Sequence, residues 1–257
     1  MLKRVLSSLV GAPLLIYILY RGGTLLFLAV NIVSLIALNE FYNAFKIKEY
    51  NPLTIIGYIF SIVILTDFFY VNLYFLPILI LLFFVCSVIM LANEKYNMID
   101  IMITITGIIY TSLFLGHILL TSRLEMNVAI WLIFLIAWAT DTFAYFTGYF
   151  FGKHKLCPTI SPKKTVEGSI GGIVGSVLSC LLFGHYFLGT NFIYLAILGI
   201  VGSIIAQIGD LVASKIKRYI GIKDFGKIMP GHGGILDRFD SIIFVAPVVY
   251  YFLIFVI

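Results

Sequence analysis

The chain is cut into apolar blocks close to membrane-spanning length, and that spacing dictates most of what it can fold into. A helix of about 20 residues crosses the ~30 Å hydrocarbon core, and only helices or closed barrels satisfy every backbone N–H and C=O there. The blocks run 5–20, 24–45, 53–70, 74–92, 98–120, 128–147, 168–188, 191–213 and 240–257. The expected fold class is therefore all-α: a polytopic integral membrane helical bundle of about nine transmembrane helices. Composition agrees, with 61% hydrophobic and 11% charged residues, where a soluble domain has about half and a quarter. A soluble globular class is excluded.

The breaks between blocks are turn-like or charged, as at Arg21-Gly-Gly and Lys46 to Pro52. The N-terminal apolar run imitates a signal peptide but ends in Tyr20-Arg21-Gly22-Gly23 with no small-x-small site, so it reads as an uncleaved first span. Blocks one, three and nine are short and are expected to cross with little tilt. Cys86, Cys157 and Cys180 make no paired framework and read as small hydrophobes. One membrane domain is expected over 1–257, with spans in 1–127 as scaffold and 128–257 carrying the catalytic site.

Loop charge tests this parse independently. If the loops are numbered alternately, all 17 Lys and Arg fall on one side except Arg21 and Arg123. The positive-inside rule then puts the N-terminus and the two long loops, 148–167 and 214–239, in the cytoplasm and the C-terminus outside. Both loops mix Gly, Pro, His, acids and paired bases, so the working surface is expected to be cytoplasmic.

The densest polar stretch starts in the eighth block. Gln207, Asp210, Ser214 and Lys217 follow at helical offsets of three, four and three, which keeps them on one face. Such a stripe must face protein or water rather than lipid. Lys215, Lys217 and Arg218 follow, then Lys223-Asp224, then Pro230-Gly-His232-Gly-Gly234 and Asp237-Arg238-Phe-Asp240. Basic residues bracketing carboxylates are the inventory for a divalent metal with a polyphosphate. The glycines flanking His232 let a ligand approach main-chain N–H groups. Asp237 is assigned to the site. Asp240 is read as the N-cap of the last helix.

A second constellation begins at Asp141, which shares a helical face with Tyr145 and Gly148. An acid within a span marks a functional or paired position. Ser161-Pro-Lys163-Lys164-Thr165 leads into the next span as a capped helix start with cations beside it, a setting suited to anions. Glu40 and Asp67 lack a dense polar neighbourhood and are read as acids of helix pairing or interfaces, His117 as an interhelical hydrogen-bonder. Gly-x₄-Gly-Lys-Ser/Thr, Gly-x-Gly-x-x-Gly, His-Glu-x-x-His and Gly-x-Ser-x-Gly are all absent from the sequence.

These residues resemble the signature of the bacterial phosphatidate cytidylyltransferase (CDP-diacylglycerol synthase) family. That signature runs Ser-x-apolar-Lys-Arg, four residues, Lys-Asp, then Pro-x-His-Gly-Gly-apolar-x-Asp-Arg-apolar-Asp. Here it is Ser214-Lys-Ile-Lys217-Arg218, Lys223-Asp224 and Pro230-Gly-His232-Gly233-Gly234-Ile-Leu-Asp237-Arg238-Phe-Asp240. Met229 stands where Leu, Ile or Phe is expected. The segments 141–148 and 160–168 are also similar to the family, whereas the first 100 residues match only in span count.

The resemblance implies transfer of the cytidylyl group of CTP to phosphatidic acid, giving CDP-diacylglycerol and pyrophosphate, with Mg²⁺ and room for a second metal or a monovalent cation. It implies Asp210 and Asp237 as metal ligands, and Lys217, Arg218, Lys223, His232 and Asp141 as catalytic residues. Ser161, Lys163, Lys164, Thr165, Ser214 and Arg238 would bind substrate. The expected setting is the inner (cytoplasmic) membrane, multi-pass, with membrane lipid as partner, no nucleic acid, and a homodimer as the assembly. The inventory fits this chemistry: a phosphate monoester is largely dianionic at neutral pH and needs charge neutralisation rather than a general base. The rival reading is another CTP-dependent membrane lipid enzyme, such as a polyprenol or phytol kinase, which would attack the γ-phosphorus.

Overall fold

The computed structural model describes the backbone from Leu2 to Ile228 and from Gly233 to Val256. His232 and Pro230 lie outside the described residues. The helices are α1 (Leu2–Arg21), α2 (Gly23–Lys46), α3 (Thr54–Tyr70), α4 (Phe75–Ala92), α5 (Met98–Thr121), α6 (Ile130–Phe151), α7 (Val166–Phe187), α8 (Phe192–Ile220) and α9 (Leu236–Val256). Among the described residues seven helices, α2 and α4 to α9, are long and apolar enough to span a bilayer, and α3 is a shorter apolar helix. The protein is an all-α polytopic membrane protein, as the block spacing requires. The strands β1 (Lys155–Cys157) and β2 (Ser161–Thr165) form an antiparallel hairpin between α6 and α7.

Several boundaries differ from those read off the sequence, α6 running to Phe151 among them, and two of the shifts bear on the polar loop. Helix α8 continues to Ile220, so the second long loop starts at Gly221, whose φ of +90° ends the helix. Helix α9 starts at Leu236 rather than at 240. Asp240 therefore lies inside α9 and is not its N-cap.

The chain packs as two compact units. The first is Met1–Leu120 with Tyr219–Phe239, the second Thr121–Arg218 with Asp240–Ile257. The loop after α8, read as part of the C-terminal half, packs with the first unit.

In the first unit the buried Tyr42 ring lies against Gly57 and Gly107, where a β-carbon would overlap it, and its hydroxyl donates to Thr104 O at 2.9 Å. Asn97 and Asp100 form a capping box at the start of α5. A π-helical turn over Ile109–Leu113 interrupts α5, and Ser112 there meets Ser61 of α3 at 2.6 Å. His117 Nδ1 pairs with Leu113 O of its own helix at 2.9 Å, and its ring meets Phe68 edge-on. That hydrogen bond lies within α5, and the ring contact reaches α3. Asp67 likewise bonds locally, accepting from the Tyr74 amide at 3.1 Å.

The second unit is built on close packing of α6 and α7. A β-carbon at Gly168 or Gly172 would stand 2.8 Å from Ala144 O or 2.9 Å from Thr140 O, so only glycine permits this backbone approach. Hydroxyls tie in α8: Thr140 donates to Ser203 at 3.0 Å and Ser176 to Gly199 O at 3.0 Å. Buried polar groups in an apolar bundle need such partners.

Candidate active site

The polar face expected on α8 forms as one surface within the second unit. Asp210 is ion-paired with Lys164 of β2, and Ser214 Oγ donates to Asp210 Oδ1 at 3.4 Å. One turn earlier Gln207 Oε1 accepts from Ser169 Oγ of α7 at 2.5 Å. Lys217, two turns beyond Asp210, is buried. Arg218 is exposed, and its Nε donates to Ile160 O in the hairpin turn at 3.4 Å.

Lys164 reaches Asp210 because the hairpin is braced at its base. Lys155 pairs in register with Thr165. Thr165 caps α7 by accepting the Gly168 amide at 3.1 Å. Glu167 accepts backbone N–H bonds from Lys153 and His154 and meets the His154 ring at 2.6 Å. The loop read as a capped helix start is therefore a strand ending in a cap. Ser161 opens β2, half-buried, while Lys163 is exposed beside Lys164.

A cavity of about 490 Å³ opens between these elements, within the size range of small-molecule sites. Asp141, Lys163, Lys164, Thr165 and Asp210 line it, together with Tyr145, Tyr149, Lys155, Ser169 and Gln207. Tyr145 and Tyr149 stack nearly parallel, with ring centroids 6.3 Å apart. Three lysines thus face two carboxylates in one apolar-walled cleft. Tyr149 is legible in the sequence, one turn beyond Tyr145 on the Asp141 face. Lys155 is not, because only the hairpin register brings it to Thr165.

Asp240 joins this carboxylate group. It lies within electrostatic reach of Asp210, Asp141 and Lys217. Gly209 makes the approach possible: a β-carbon there would stand 2.7 Å from Asp240 O. Asp240 is repelled by both acids unless cations accompany them, and Lys217 beside Asp240 and Lys164 on Asp210 are among the cations at hand. Among the described residues no group of three or more His, Cys, Asp or Glu side chains is placed to hold a metal ion.

In the first unit, Asp237 is buried and its Oδ2 accepts the amides of Phe225 at 2.8 Å and Gly234 at 3.0 Å. It thereby ties the exit of the loop to its entrance. Lys223 and Arg238 are exposed. Glu40 also reaches this loop, accepting the amides of Ile235 at 3.1 Å and Leu236 at 2.8 Å. It thus joins α2 to the start of α9, a helix-pairing contact made through backbone amides.

Comparison with known proteins bears on what this cleft handles. Residues 2–256 match the model of the Cytidylyltransferase family. A Phosphatidate cytidylyltransferase of Staphylococcus epidermidis (strain ATCC 12228 / FDA PCI 1200) is 39% identical over 249 residues, 95% of each chain. Proteins of the same name from Staphylococcus aureus (strain COL) and Staphylococcus haemolyticus (strain JCSC1435) are 37% and 34% identical, again over 95% of each chain.

Proposed function

The chain belongs to the cytidylyltransferase family, and from that premise we propose that it joins CTP to phosphatidic acid, releasing pyrophosphate and forming CDP-diacylglycerol. The observation that carries the reading is the cleft of the second unit, where Lys155, Lys163 and Lys164 face Asp141 and Asp210 among membrane-spanning helices. Such a cleft suits a lipid-borne phosphate meeting a soluble nucleotide. The enzyme is a nucleotidyltransferase of phospholipid biosynthesis and sits in a membrane. We place it in the cytoplasmic membrane with the hairpin and the Gly221–Ile235 loop facing the cytoplasm, on the strength of the loop charges.

The phosphatidate oxygen attacks the α-phosphorus directly: one O–P bond forms, the Pα–O–Pβ bond breaks, and pyrophosphate leaves with its electron pair. The obstacle is repulsion between two polyanions, so the residues' work is neutralisation and alignment. Lys155, Lys163 and Lys164 take phosphate charge, and Ser161 and Thr165 hold the hairpin that carries them. Lys217 balances Asp240, and Ser214 orients Asp210. Arg218, Lys223, Arg238 and His232 remain assigned to the substrates through the family resemblance.

The reaction is metal-assisted, and we read the ion as Mg²⁺. Asp210, Asp240 and Asp141 are hard oxygen donors whose mutual repulsion a cation relieves, and Mg²⁺ needs only one or two carboxylates beside water and phosphate. The donor set therefore fits. Asp237, held by two loop amides, is the further carboxylate assigned to metal. When bound, Mg²⁺ neutralises phosphate charge and polarises the phosphoryl oxygens.

Purified protein supplied with phosphatidate and either α- or γ-labelled CTP tests the function. Label should enter lipid from the α-position only. Transfer of γ-label would identify a lipid kinase and refute the reading.

A further inference from the structure

Glu40 is a buried acid near the end of a membrane helix, a costly placement unless its charge or hydrogen-bonding capacity is used. Both carboxylate oxygens are used, and by partners far along the chain. Oε1 accepts the Ile235 amide and Oε2 the Leu236 amide, 195 and 196 residues away. These are donors at the start of α9, which have no acceptor within the helix. Two glycines close the fit. A β-carbon at Gly226 or at Gly234 would collide with the Glu40 carboxylate.

The same loop is held by a second acid. Asp237 Oδ2 accepts Phe225 and Gly234 amides, so the two carboxylates grip adjacent amides at Gly234, Ile235 and Leu236. Gly233 just before them has φ +91°, a conformation that side chains beyond glycine rarely adopt. The exit of the loop is thus fixed residue by residue, and Asp237 and Arg238 follow at once on α9.

We infer that Glu40 is a positioning residue of the reaction: it sets the start of α9, and through it the placement of Asp237 and Arg238. The inference rests on the cytidylyltransferase reading for what the loop does, but the clamp itself is a matter of hydrogen bonds. Partners one step behind a functional carboxylate carry roughly 10–100-fold of affinity or activity in comparable sites.

The test uses full-length protein in detergent or nanodiscs, with Glu40→Ala, Glu40→Gln and Gly226→Ala. Glu40→Ala should lower kcat per folded molecule by roughly 10–100-fold, with a much smaller change in KM for CTP. Glu40→Gln keeps one acceptor oxygen and should recover part of the loss. Gly226→Ala leaves Glu40 in place but displaces its carboxylate, and should also lower kcat. Amide exchange over 233–236 should accelerate in all three. Wild-type kcat in Glu40→Ala would overturn the inference. If that variant does not fold, unchanged kcat and exchange in Glu40→Gln and Gly226→Ala would overturn it instead. Should wild-type protein make no CDP-diacylglycerol, the functional reading fails, and the exchange rates alone then decide the clamp: acceleration supports it, wild-type rates refute it.

Discussion

Lys164 of β2 is ion-paired with Asp210 of α8, which joins two segments 46 positions apart at the mouth of one cavity. Both side chains keep about a quarter of their surface exposed, 27% and 26%, so the pair is hydrated and its partners can exchange. On the proposed reading, an incoming triphosphate would offer Lys164 a stronger anion than one carboxylate and would leave Asp210 available for a cation.

This exchange makes Lys164 more consequential than its exposed neighbour Lys163. Lys164→Gln should raise KM for CTP and lower kcat/KM by about tenfold or more, since a charge-assisted phosphate contact is lost. Lys164→Arg should restore part of it. Steady-state kinetics at fixed ionic strength decide the matter, and unchanged parameters in Lys164→Gln would remove Lys164 from the site.

Asp240 gives the sharpest departure from the sequence reading. With α9 beginning at Leu236, its carboxylate has no capping role at the helix start and instead lies within electrostatic reach of Asp210, Asp141 and Lys217. Asp240→Asn should therefore cost roughly 10²–10³-fold in kcat, the scale of removing one electrostatic element from a reacting centre. Asp210→Asn should be at least as damaging. Retention of near wild-type turnover in Asp240→Asn, in protein with a normal melting profile, would return Asp240 to a structural role.

What the sequence makes legible here depends on the range of the interaction. Span positions follow from local apolar runs, and the Gln207–Asp210–Ser214–Lys217 face follows from helical spacing, so both can be read in a single window. The end of α8 is misplaced because polar residues after 213 suggest departure from the bilayer, whereas the helix itself stops only at Gly221. Asp240 is misread because a cap assignment needs the true helix start, and nothing local marks Leu236. Glu40 and Lys155 are illegible for a different reason: one acts across nearly 200 residues and the other through hairpin register.

The proposed topology rests on the loop charges and on the nine spans read from the sequence. A reporter active only outside the cytoplasm should be active when fused after Ile257 and inactive when inserted within 158–160, in the hairpin turn. A cytoplasm-dependent reporter should give the opposite pattern. The reverse result in both assays would mean that the parse has gained or lost a span.

The kinetic mechanism can be read from how the hydroxyls and bases are employed. Ser214 Oγ donates to Asp210, and Thr165 Oγ1 accepts the Gly168 amide as a helix cap, so each hydroxyl already has a structural partner. Ser214's carboxylate partner Asp210 is itself ion-paired with Lys164, and Thr165 is engaged as a cap, so neither hydroxyl is set up as an activated nucleophile. A phosphate monoester dianion gains little from an enzyme nucleophile in any case, because charge repulsion and not weak nucleophilicity sets its barrier. Direct displacement requires both substrates bound together, so initial-rate patterns should be sequential. It also inverts the α-phosphorus once, which a chiral α-thiophosphate substrate reports. Enzyme given CTP and labelled pyrophosphate without lipid should not incorporate label into CTP. Ping-pong kinetics, net retention or lipid-independent exchange would each require a covalent cytidylyl-enzyme, and would direct attention to Ser214 and to His232. The cleft's lysines would keep their role under either outcome, since both routes must bring a triphosphate to the same carboxylates.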